Sequence, residues 1–374
     1  MKIVFFVHAI ASCWNNGNAH FLRGIGSELQ RLGHQVHFCE PAGAWSEVNL
    51  LQDAGDQALE GFTRSFPDLL QVKYGANGPE LDSLTDGADL VIVHEWNDAA
   101  VVNGLGDLRK KGARFVLLFH DTHHRALSQP DAMRRFDLSG YDGVLAFGAV
   151  LAEIYQRMGW ARRVWTWHEA ADTIHFYSRP PQMSDAELLW VGNWGDEERT
   201  SELETFLIGP AQQLGIRGNV YGVRYPEAAV ASLASRGFCY RGWLPNHLVP
   251  EVCARHAFTV HVPRRPYAVA LRGIPTIRVF EALACGIPLL SAPWDDCENL
   301  FPEPCFLMAK NGDEMKSHMR AILSDTALAN ALKHTGQKII RERHSCRHRV
   351  SELLHIYDQI RGESAVSVQE SEAA

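Results

Sequence analysis

The feature that most constrains the fold is an alternation of buried strands and amphipathic helices, which begins at the first residues. The run Ile3–Val7 is continuously apolar and has the length of a strand. A loop rich in Asn and Gly follows, and apolar residues at helical spacing then predict a helix from about Ala19 to Leu32. Residues 33–38 return to a strand pattern. Such a β–loop–α–β unit predicts a parallel sheet and therefore an α/β fold.

The alternation continues through most of the chain as two βα halves. Residues 40–85 are the exception, because their periodicity is weak and they are predicted to form variable helices and loops. Further strands are predicted at residues 89–96, 114–125, 143–148, 163–167, 187–192, 217–222, 238–245, 258–263 and 287–291. Further helices are predicted at about 99–111, 201–214, 226–235, 276–285, 312–324, 326–343 and 346–362.

Size and charge limit the classes of protein to consider. A chain of 374 residues with 46% hydrophobic residues is long enough for two domains with their own cores. The net charge of −8 argues against a nucleic-acid partner held by a broad basic face. Short basic clusters at 109–111, 134–135, 162–163 and 264–265 are expected to be solvated, although they are compatible with peripheral contact to anionic lipid.

The location expected from the sequence is the cytoplasm. The N-terminus reaches His8 too early for the apolar region of a signal peptide, and no apolar run is long enough to span a bilayer. The eight cysteines are scattered without a Cys-x-x-Cys pair, which favours reduced thiols over disulfides or a zinc site.

The segment from Arg272 to Ser291 carries the clearest chemical signal. Pro275 and Gly286 bracket a predicted short helix, and their positions are those of helix start and stop signals. The N-terminus of a helix offers free N–H groups to a phosphate, and a carboxylate such as that of Glu281 can accept two hydrogen bonds from a sugar diol. The alternative is that Glu281 is a solvated helix residue paired with the nearby arginines.

The run from Phe280 to Pro293 resembles the donor-site signature of GT-B glycosyltransferases of the family 4 type and of their spore-maturation-protein-like relatives. The resemblance implies two Rossmann-like domains that face a central cleft. It also implies that Glu281 holds the ribose of a nucleotide-diphosphate sugar. The family has a second glutamate eight residues earlier, near the transferred sugar, and this chain has Gly273 there.

The resemblance further implies a donor site built from several loops. Gly17 and Asn18 belong to a loop similar to the one that approaches the donor phosphates in the family. Asn193 and Arg199 stand about where the family places an Arg and a Lys on the diphosphate, and 243–244 resembles the base-binding loop. The residues expected to bind the donor are Glu281, Arg272, Arg199, Asn193, Gly17, Asn18, Gly273, Ile274, Pro275, Thr276, Trp243 and Leu244.

Histidines mark the ends of two predicted strands. His94 and His120 follow successive apolar runs, and ligands bind at the carboxyl ends of strands in open α/β sheets. The strand that ends in His120 resembles the family strand whose histidine contacts the donor sugar, so His120, His94 and Asp121 are the expected catalytic residues. A structural histidine is an alternative, and so is a metal site of His120, Asp121, His123 and His124, whose spacing is unconvincing.

The resemblance also implies the domain limits. An acceptor-side domain is expected at 1–168, a linker at 169–186 and a donor domain at 187–345. A helix at 346–362 is expected to cross back to the first domain, and the polar residues 363–374 are expected to be a disordered tail.

The preferred hypothesis is a glycosyltransferase that moves a sugar from a nucleotide-diphosphate sugar to an unknown hydroxyl acceptor. No cofactor or metal is expected, because arginines and helix N–H groups can neutralise the diphosphate, and family 4 implies retention of anomeric configuration. Two alternatives remain open, a nucleotide-sugar 2-epimerase and a non-catalytic nucleotide-sugar-binding protein on the same fold. A dinucleotide oxidoreductase is disfavoured, since no strand is followed by a Gly-x-Gly-x-x-Gly turn.

Overall fold

A computed structural model describes residues 1–75, 78–183, 186–195 and 197–372. Its two parallel sheets follow one another along the chain. The first sheet has seven strands in the order β3-β2-β1-β4-β5-β6-β7. These strands are β1 (Lys2–Phe6), β2 (Gln35–Pro41), β3 (Leu70–Tyr74), β4 (Leu90–His94), β5 (Val116–Asp121), β6 (Gly143–Ala146) and β7 (Val164–Thr166).

The helices between these strands cover the faces of the first sheet. They are α1 (Asn18–Arg31), α2 (Trp45–Ala54), α3 (Gln57–Ser65), α4 (Leu81–Thr85), α5 (Ala99–Lys110), α6 (Arg125–Ser128), α7 (Pro130–Met133) and α8 (Ala149–Met158).

The second sheet has six strands in the order β10-β9-β8-β11-β12-β13. They are β8 (Leu188–Val191), β9 (Gly218–Tyr221), β10 (Phe238–Gly242), β11 (Phe258–His261), β12 (Leu289–Ser291) and β13 (Leu307–Met308). Its helices are α9 (Thr200–Leu203), α10 (Gly209–Leu214), α11 (Glu227–Ser235), α12 (Val249–Cys253), α13 (Ile277–Cys285), α14 (Gly312–Ser324) and α15 (Thr326–Arg343), with short π or 3-10 turns at Glu204–Ile208, Asn246–Leu248 and Pro266–Ala270.

Both sheets are wound in two directions from an inner strand. Successive strands are added in one direction up to β3 in the first sheet and in the opposite direction from β4 onward, so the switch point of this sheet lies between β1 and β4. The switch point of the second sheet lies between β8 and β11. A crevice opens at such a point beyond the carboxyl ends of the strands, where doubly wound proteins bind ligands. The strands beside the crevices are buried, as their continuous apolar sequences predict for a parallel sheet.

Two strands were not expected from the sequence. The edge strand β3 lies within residues 40–85, where variable helices and loops are predicted, and it pairs in parallel with β2. Its five residues are exposed or only half-buried, so they carry no continuous apolar signal. Strand β13 has only two residues, which is too short for any periodicity.

The last helix returns to the first domain. Helix α16 (Cys346–Glu372) packs against α1, and the contact is close at Gly24, where a Cβ atom would lie 2.5 Å from the Cys346 Sγ. Gly24 therefore allows two helices to approach each other. The helix runs to Glu372, whereas the sequence predicted a disordered tail at 363–374. Residues 373–374 of the predicted tail and residues 184–185 of the predicted linker lie outside the described residues.

Across the described ranges, no helix is both long enough and apolar enough to cross a membrane.

Candidate functional site

The two crevices face each other and are in contact across the interface between the domains. Asn15, in the loop after β1, accepts a hydrogen bond from the Asn193 side chain in the loop after β8. At Gly17, a Cβ atom would lie 3.3 Å from the Cγ2 of Ile277 at the start of α13. The predicted loop at Gly17 therefore lies against the N-terminus of the predicted donor helix.

Glu281 lies on α13 at the centre of this interface, and only 2% of it is exposed. Asn246 Nδ2 donates to Glu281 Oε1 over 2.7 Å, and Arg278 pairs with Oε2. The alternative of a solvated helix residue is therefore wrong, although the predicted arginine neighbour is present. A buried carboxylate with such partners is held in one orientation.

A residue from the other domain also faces Glu281. His20 Nδ1 lies 3.3 Å from Glu281 Oε1, and its Nε2 accepts the backbone N–H of Asp172 at 2.9 Å. The bond to Nε2 places the ring proton on Nδ1, toward the carboxylate. Burial lowers the pKa of His20, with Glu281 opposing the shift, so the contact is one of a neutral ring. His20 and Asn246 were not predicted, because their contacts with Glu281 join distant parts of the sequence.

The N-terminus of α13 is free of a side-chain cap. Its preceding residue, Thr276, uses its hydroxyl at 3.1 Å from the His261 Nε2 instead. The first backbone N–H groups of the helix are therefore available to an anion.

The loop before α13 packs against the first domain. Leu271 and Ile274 are buried in the core of that domain, where Ile274 lies against Gly148, and Pro275 is also buried. Gly273 has a φ of +81°, which is strained for any other residue, and a Cβ atom there would lie 2.6 Å from the Glu298 Oε1, so that a side chain would require Glu298 to move.

Arg272 is placed differently from the rest of this loop. Its side chain is 69% exposed and pairs with Asp295 at 3.0 Å. The structure therefore directs Arg272 to the surface, while the loop around it is buried.

Arg199 and Asn193 lie at the switch point of the second sheet. The Arg199 guanidinium donates to the carbonyls of Asn193 (2.6 Å) and Val262 (3.2 Å), which are in the loops after β8 and β11. Its charge helps to lower the pKa of His261, although burial is the larger cause. A fixed positive charge thus stands at the crevice where the sequence predicted one.

Arg264 is a second cation of this crevice, and the sequence did not identify it as a site residue. Arg264 was assigned to a solvated basic cluster, but it pairs with Glu198 at 2.7 Å and lowers the pKa values of His123 and His124 through its charge. Burial is the main cause of both shifts. Arg264 therefore lies across the cleft from the loop after β5.

Asn18, His94 and Thr122 form a connected group in the first crevice. The Asn18 amide donates to Thr122 Oγ1 at 2.5 Å and lies 3.3 Å from His94 Nε2, which is 3.0 Å from the same hydroxyl. Burial, with the charge of neighbouring histidines and Arg125, holds the pKa of His94 well below its usual range. Two predicted residues, Asn18 and His94, are thus brought together.

His120 lies directly beneath this group and is fully buried. Its ring is 5.2 Å from the ring of His94 and 4.9 Å from that of Trp167, and neither nitrogen has a hydrogen-bond partner in the described part of the chain. Burial lowers the pKa of His120 to about 3. His120 is therefore a neutral ring behind His94.

The Asp121 carboxylate is bound by groups of its own domain. It accepts from the His123 N–H (3.0 Å) and the Tyr155 hydroxyl (2.7 Å), and burial raises its pKa to about 6. These contacts fix the loop after β5. In the described residues, no three His, Cys, Asp or Glu side chains are grouped to hold a metal ion.

The predicted base-binding loop follows β10. Trp243 and Leu244 are half-buried, and Trp243 packs near Trp14 and Val223. The buried Trp243 Nε1 and Asn246 Oδ1 have no hydrogen-bond partner within the described ranges. The loop therefore holds one unpaired donor, on Trp243, and one unpaired acceptor, on the asparagine that contacts the Glu281 carboxylate.

A surface groove of about 620 Å³ lies elsewhere, beside Asp142, Trp160 and Arg163. It is at the opposite end of the first sheet from the cleft. Two of its charged residues are already paired, since Asp142 binds Arg109 and Arg163 binds Glu363. We therefore place the candidate site in the cleft.

Comparison with known proteins gives a family for the second half of the chain. Residues 199–355 match a family model described as glycosyl transferase-like. A search of curated protein sequences finds no match.

Solved structures resemble the chain over nearly its whole length. Sucrose-phosphate synthase from Thermosynechococcus elongatus has a TM-score of 0.66 at 15% identity, with 97% of this chain and 100% of that chain covered. The T4 phage BGT with its UDP-glucose substrate has a TM-score of 0.62 at 12% identity, covering 96% and 99%. An alpha-glucosyltransferase in complex with UDP and a 13-mer DNA has a TM-score of 0.66 at 13% identity, covering 96% and 99%.

The prediction of an α/β GT-B fold is therefore confirmed, and residues 199–355 form a glycosyl transferase-like domain. The prediction of an enzyme of the glycosyltransferase class is confirmed at the level of family and fold. The closer resemblance to family 4 stays a prediction.

Proposed function

We propose that this glycosyl transferase-like protein transfers a sugar from a nucleotide-diphosphate sugar to a hydroxyl acceptor. The observation that carries the proposal is the buried Glu281 carboxylate, which Asn246 and Arg278 orient beside the uncapped N-terminus of α13. A carboxylate for a ribose diol and free N–H groups for a phosphate are thus on one helix. Several of the solved structures that resemble the chain contain UDP or UDP-glucose.

Charge on the diphosphate is neutralised by the protein in this proposal. Arg199 lies at the switch point of the second sheet, and Arg264 lies beside it with Glu198 as partner. Fixed cations and helix N–H groups in a closed cleft stabilise a leaving diphosphate without reorganisation. Transfer therefore requires no metal and no cofactor, although one solved T4 phage BGT structure holds UDP and Mn²⁺.

The first domain supplies the surface that faces the transferred sugar. Asn18 and His94 present polar atoms at its crevice, and the neutral ring of His120 supports His94 from behind. His120 acts in this proposal by holding that surface in place, and retention of the anomeric configuration follows the resemblance to family 4. The acceptor is a glycan, lipid or small molecule and not a nucleic acid, because the net charge of −8 opposes phosphate binding over a large face.

The test is turnover of a panel of donors with and without acceptors. UDP-glucose, UDP-N-acetylglucosamine, GDP-mannose and ADP-glucose are incubated with the protein and a mixture of sugar and lipid hydroxyl acceptors, with and without EDTA. We expect one nucleotide diphosphate to be released, a glycosylated product to form, and EDTA to change neither. Conversion of the donor sugar to its epimer without release of nucleotide would identify a 2-epimerase, and donor binding without any reaction would identify a non-catalytic binding protein.

A further inference from the structure

Glu169 is a second buried carboxyl group of the cleft, and none of the residues discussed above is its partner. It follows β7 at the carboxyl end of the first sheet, and only 5% of it is exposed. No hydrogen bond or ion pair to its carboxyl group is formed by the residues that the structure describes. A polar side chain that is this deeply buried usually has a partner in the protein.

The backbone on both sides of Glu169 is held in place by hydrogen bonds. The Trp167 indole donates to the Arg349 carbonyl at 2.9 Å, and the His168 carbonyl accepts from Arg349 Nε at 3.0 Å. On the other side, the Ala171 N–H donates to the His344 carbonyl at 2.9 Å. The segment is thus fastened on both sides of Glu169, to Arg349 near the start of α16 and to His344 just before that helix.

The surroundings of Glu169 belong to the donor side of the cleft. The charged and titratable groups near it are Glu281 and Arg278 on α13, Tyr267 before the loop 271–276, and Cys346 at the start of α16. Tyr267 in turn lies close to His124, with the ring centroids 5.5 Å apart, and its pKa responds to Arg264. Glu169 is therefore close enough to Glu281 of the proposed ribose site to be influenced by its charge, and Tyr267 connects its surroundings to His124 in the loop after β5.

The protonation state follows from these neighbours. Burial raises the pKa of Glu169 to about 8, with the charge of Glu281 adding to the shift and that of Arg278 opposing it. The carboxyl group is therefore mostly neutral at pH 7. A neutral carboxyl group has both a donor and an acceptor, which is the pairing that a sugar hydroxyl can satisfy.

We propose that the Glu169 carboxyl group binds a hydroxyl of the transferred sugar and so helps to choose the sugar of the donor. This inference rests on the proposed function. The ligand is an uncharged sugar hydroxyl, because a neutral carboxyl group can both donate to it and accept from it, whereas an anion would be repelled by Glu281. The bound hydroxyl gives Glu169 the hydrogen bonds that the protein does not supply.

The experiment compares nucleotide and nucleotide-sugar binding by calorimetry in the wild-type protein, Glu169→Gln and Glu169→Ala. Glutamine is close in shape and stays neutral, so Glu169→Gln should bind both ligands nearly as the wild type does at pH 7. Glu169→Ala should bind the nucleotide diphosphate normally and the nucleotide sugar about tenfold more weakly, as for a lost buried hydrogen bond. Equal weakening of both ligands would place Glu169 at the ribose and overturn the assignment to the transferred sugar.

A pH series keeps the inference testable if Glu169→Ala does not fold. Because the raised pKa means that the proton is lost as the pH rises through about 8, nucleotide-sugar affinity of the wild type should fall between pH 7 and 9. Glu169→Gln should remove this fall, whereas the same fall in both proteins would contradict the inference. If the wild type binds nucleotides and Glu169→Ala binds nucleotide sugar normally, only this inference fails. If the wild type binds no nucleotide, the proposed function fails, and the inference fails with it.

Discussion

The Asn246 Nδ2 donates a 2.7 Å hydrogen bond to the Glu281 Oε1, and this contact joins the loop after β10 to helix α13. The carboxylate cannot donate, so the amide nitrogen must face it and the amide oxygen must face away. That oxygen is buried and has no partner in the described part of the chain. Asn246 is therefore oriented to hold Glu281 with one end and to offer an acceptor to a nucleotide with the other.

Asn246→Ala is expected to weaken nucleotide binding about tenfold, because it removes one charge-assisted hydrogen bond and leaves Glu281 less constrained. Asn246→Asp should weaken binding further, since it places a second carboxylate beside Glu281. Calorimetry with the preferred nucleotide measures both. Asn219→Ala, which removes a buried asparagine on β9 of the same domain, is the control and should lower stability without this loss of affinity. Unchanged affinity in both Asn246 variants would contradict the assigned role.

Gly148→Ala is expected to push the loop 271–276 away from the first domain and to lower turnover. The new Cβ atom would lie 2.6 Å from the Ile274 Cδ1 and 3.3 Å from the Glu298 Oε1, so the loop must shift. Adding Ile274→Ala removes the side chain that clashes, and should restore part of the turnover. Gly75→Ala is the control, because nothing lies within 4 Å of its Cβ position. Wild-type turnover in Gly148→Ala would show that this contact is not needed.

His120→Ala is expected to lower turnover far more than nucleotide affinity, since the ring supports His94 and lies outside the nucleotide contacts. Stability should also fall by about 2–5 kcal/mol through the cavity left in the aromatic cluster. His344→Ala removes a comparable buried, neutral histidine of the other domain, so it serves as the control for stability alone. Equal losses of turnover and nucleotide affinity in His120→Ala would contradict the role given to His120.

The pH dependence of stability should reveal the buried neutral His261. Burial lowers its pKa to about 3, while an unfolded chain binds the proton near pH 6.5, so its contribution to stability is lost as the pH falls below about 6.5. At about 1.4 kcal/mol per pH unit, the loss between pH 7.5 and 5.0 is about 2 kcal/mol. Urea unfolding at both pH values should therefore show a smaller difference in His261→Gln than in the wild type. Glu169 and the other titrating groups are present in both proteins, so their effects cancel in this comparison. An equal pH dependence of the free energy of unfolding in the two proteins would contradict the low pKa of His261.

Hydrophobic periodicity predicts strands that are buried on both faces and helices that bury one face, and it fails for a strand that is largely uncovered. The strands beside the two crevices are continuous apolar runs, and they lie where the sequence places them. The edge strand β3 was missed because each of its residues is exposed or only half-buried, so its sequence shows no clear apolar pattern.

The candidate site could be predicted only where one segment carries a local pattern. Glu281 and the helix start at Thr276 lie in a single motif, so the sequence identifies both. His20, Asn246, Arg264 and Glu169 depend instead on how two domains meet, and no spacing along the chain encodes that distance. Arg272 lies in the same local motif, but its side chain is directed to the surface, so the motif alone did not predict its position correctly.

The most direct test of the account is calorimetric binding of UDP, GDP, ADP and CMP to the wild-type protein and to Glu281→Ala. The account predicts that one nucleoside diphosphate binds, that CMP does not, and that Glu281→Ala weakens the binding by about tenfold or more, as for a lost charge-assisted hydrogen bond. Binding that is unchanged in Glu281→Ala would place the nucleotide elsewhere. Absence of binding by all four nucleotides would contradict the central claim that this cleft holds a nucleotide-diphosphate sugar.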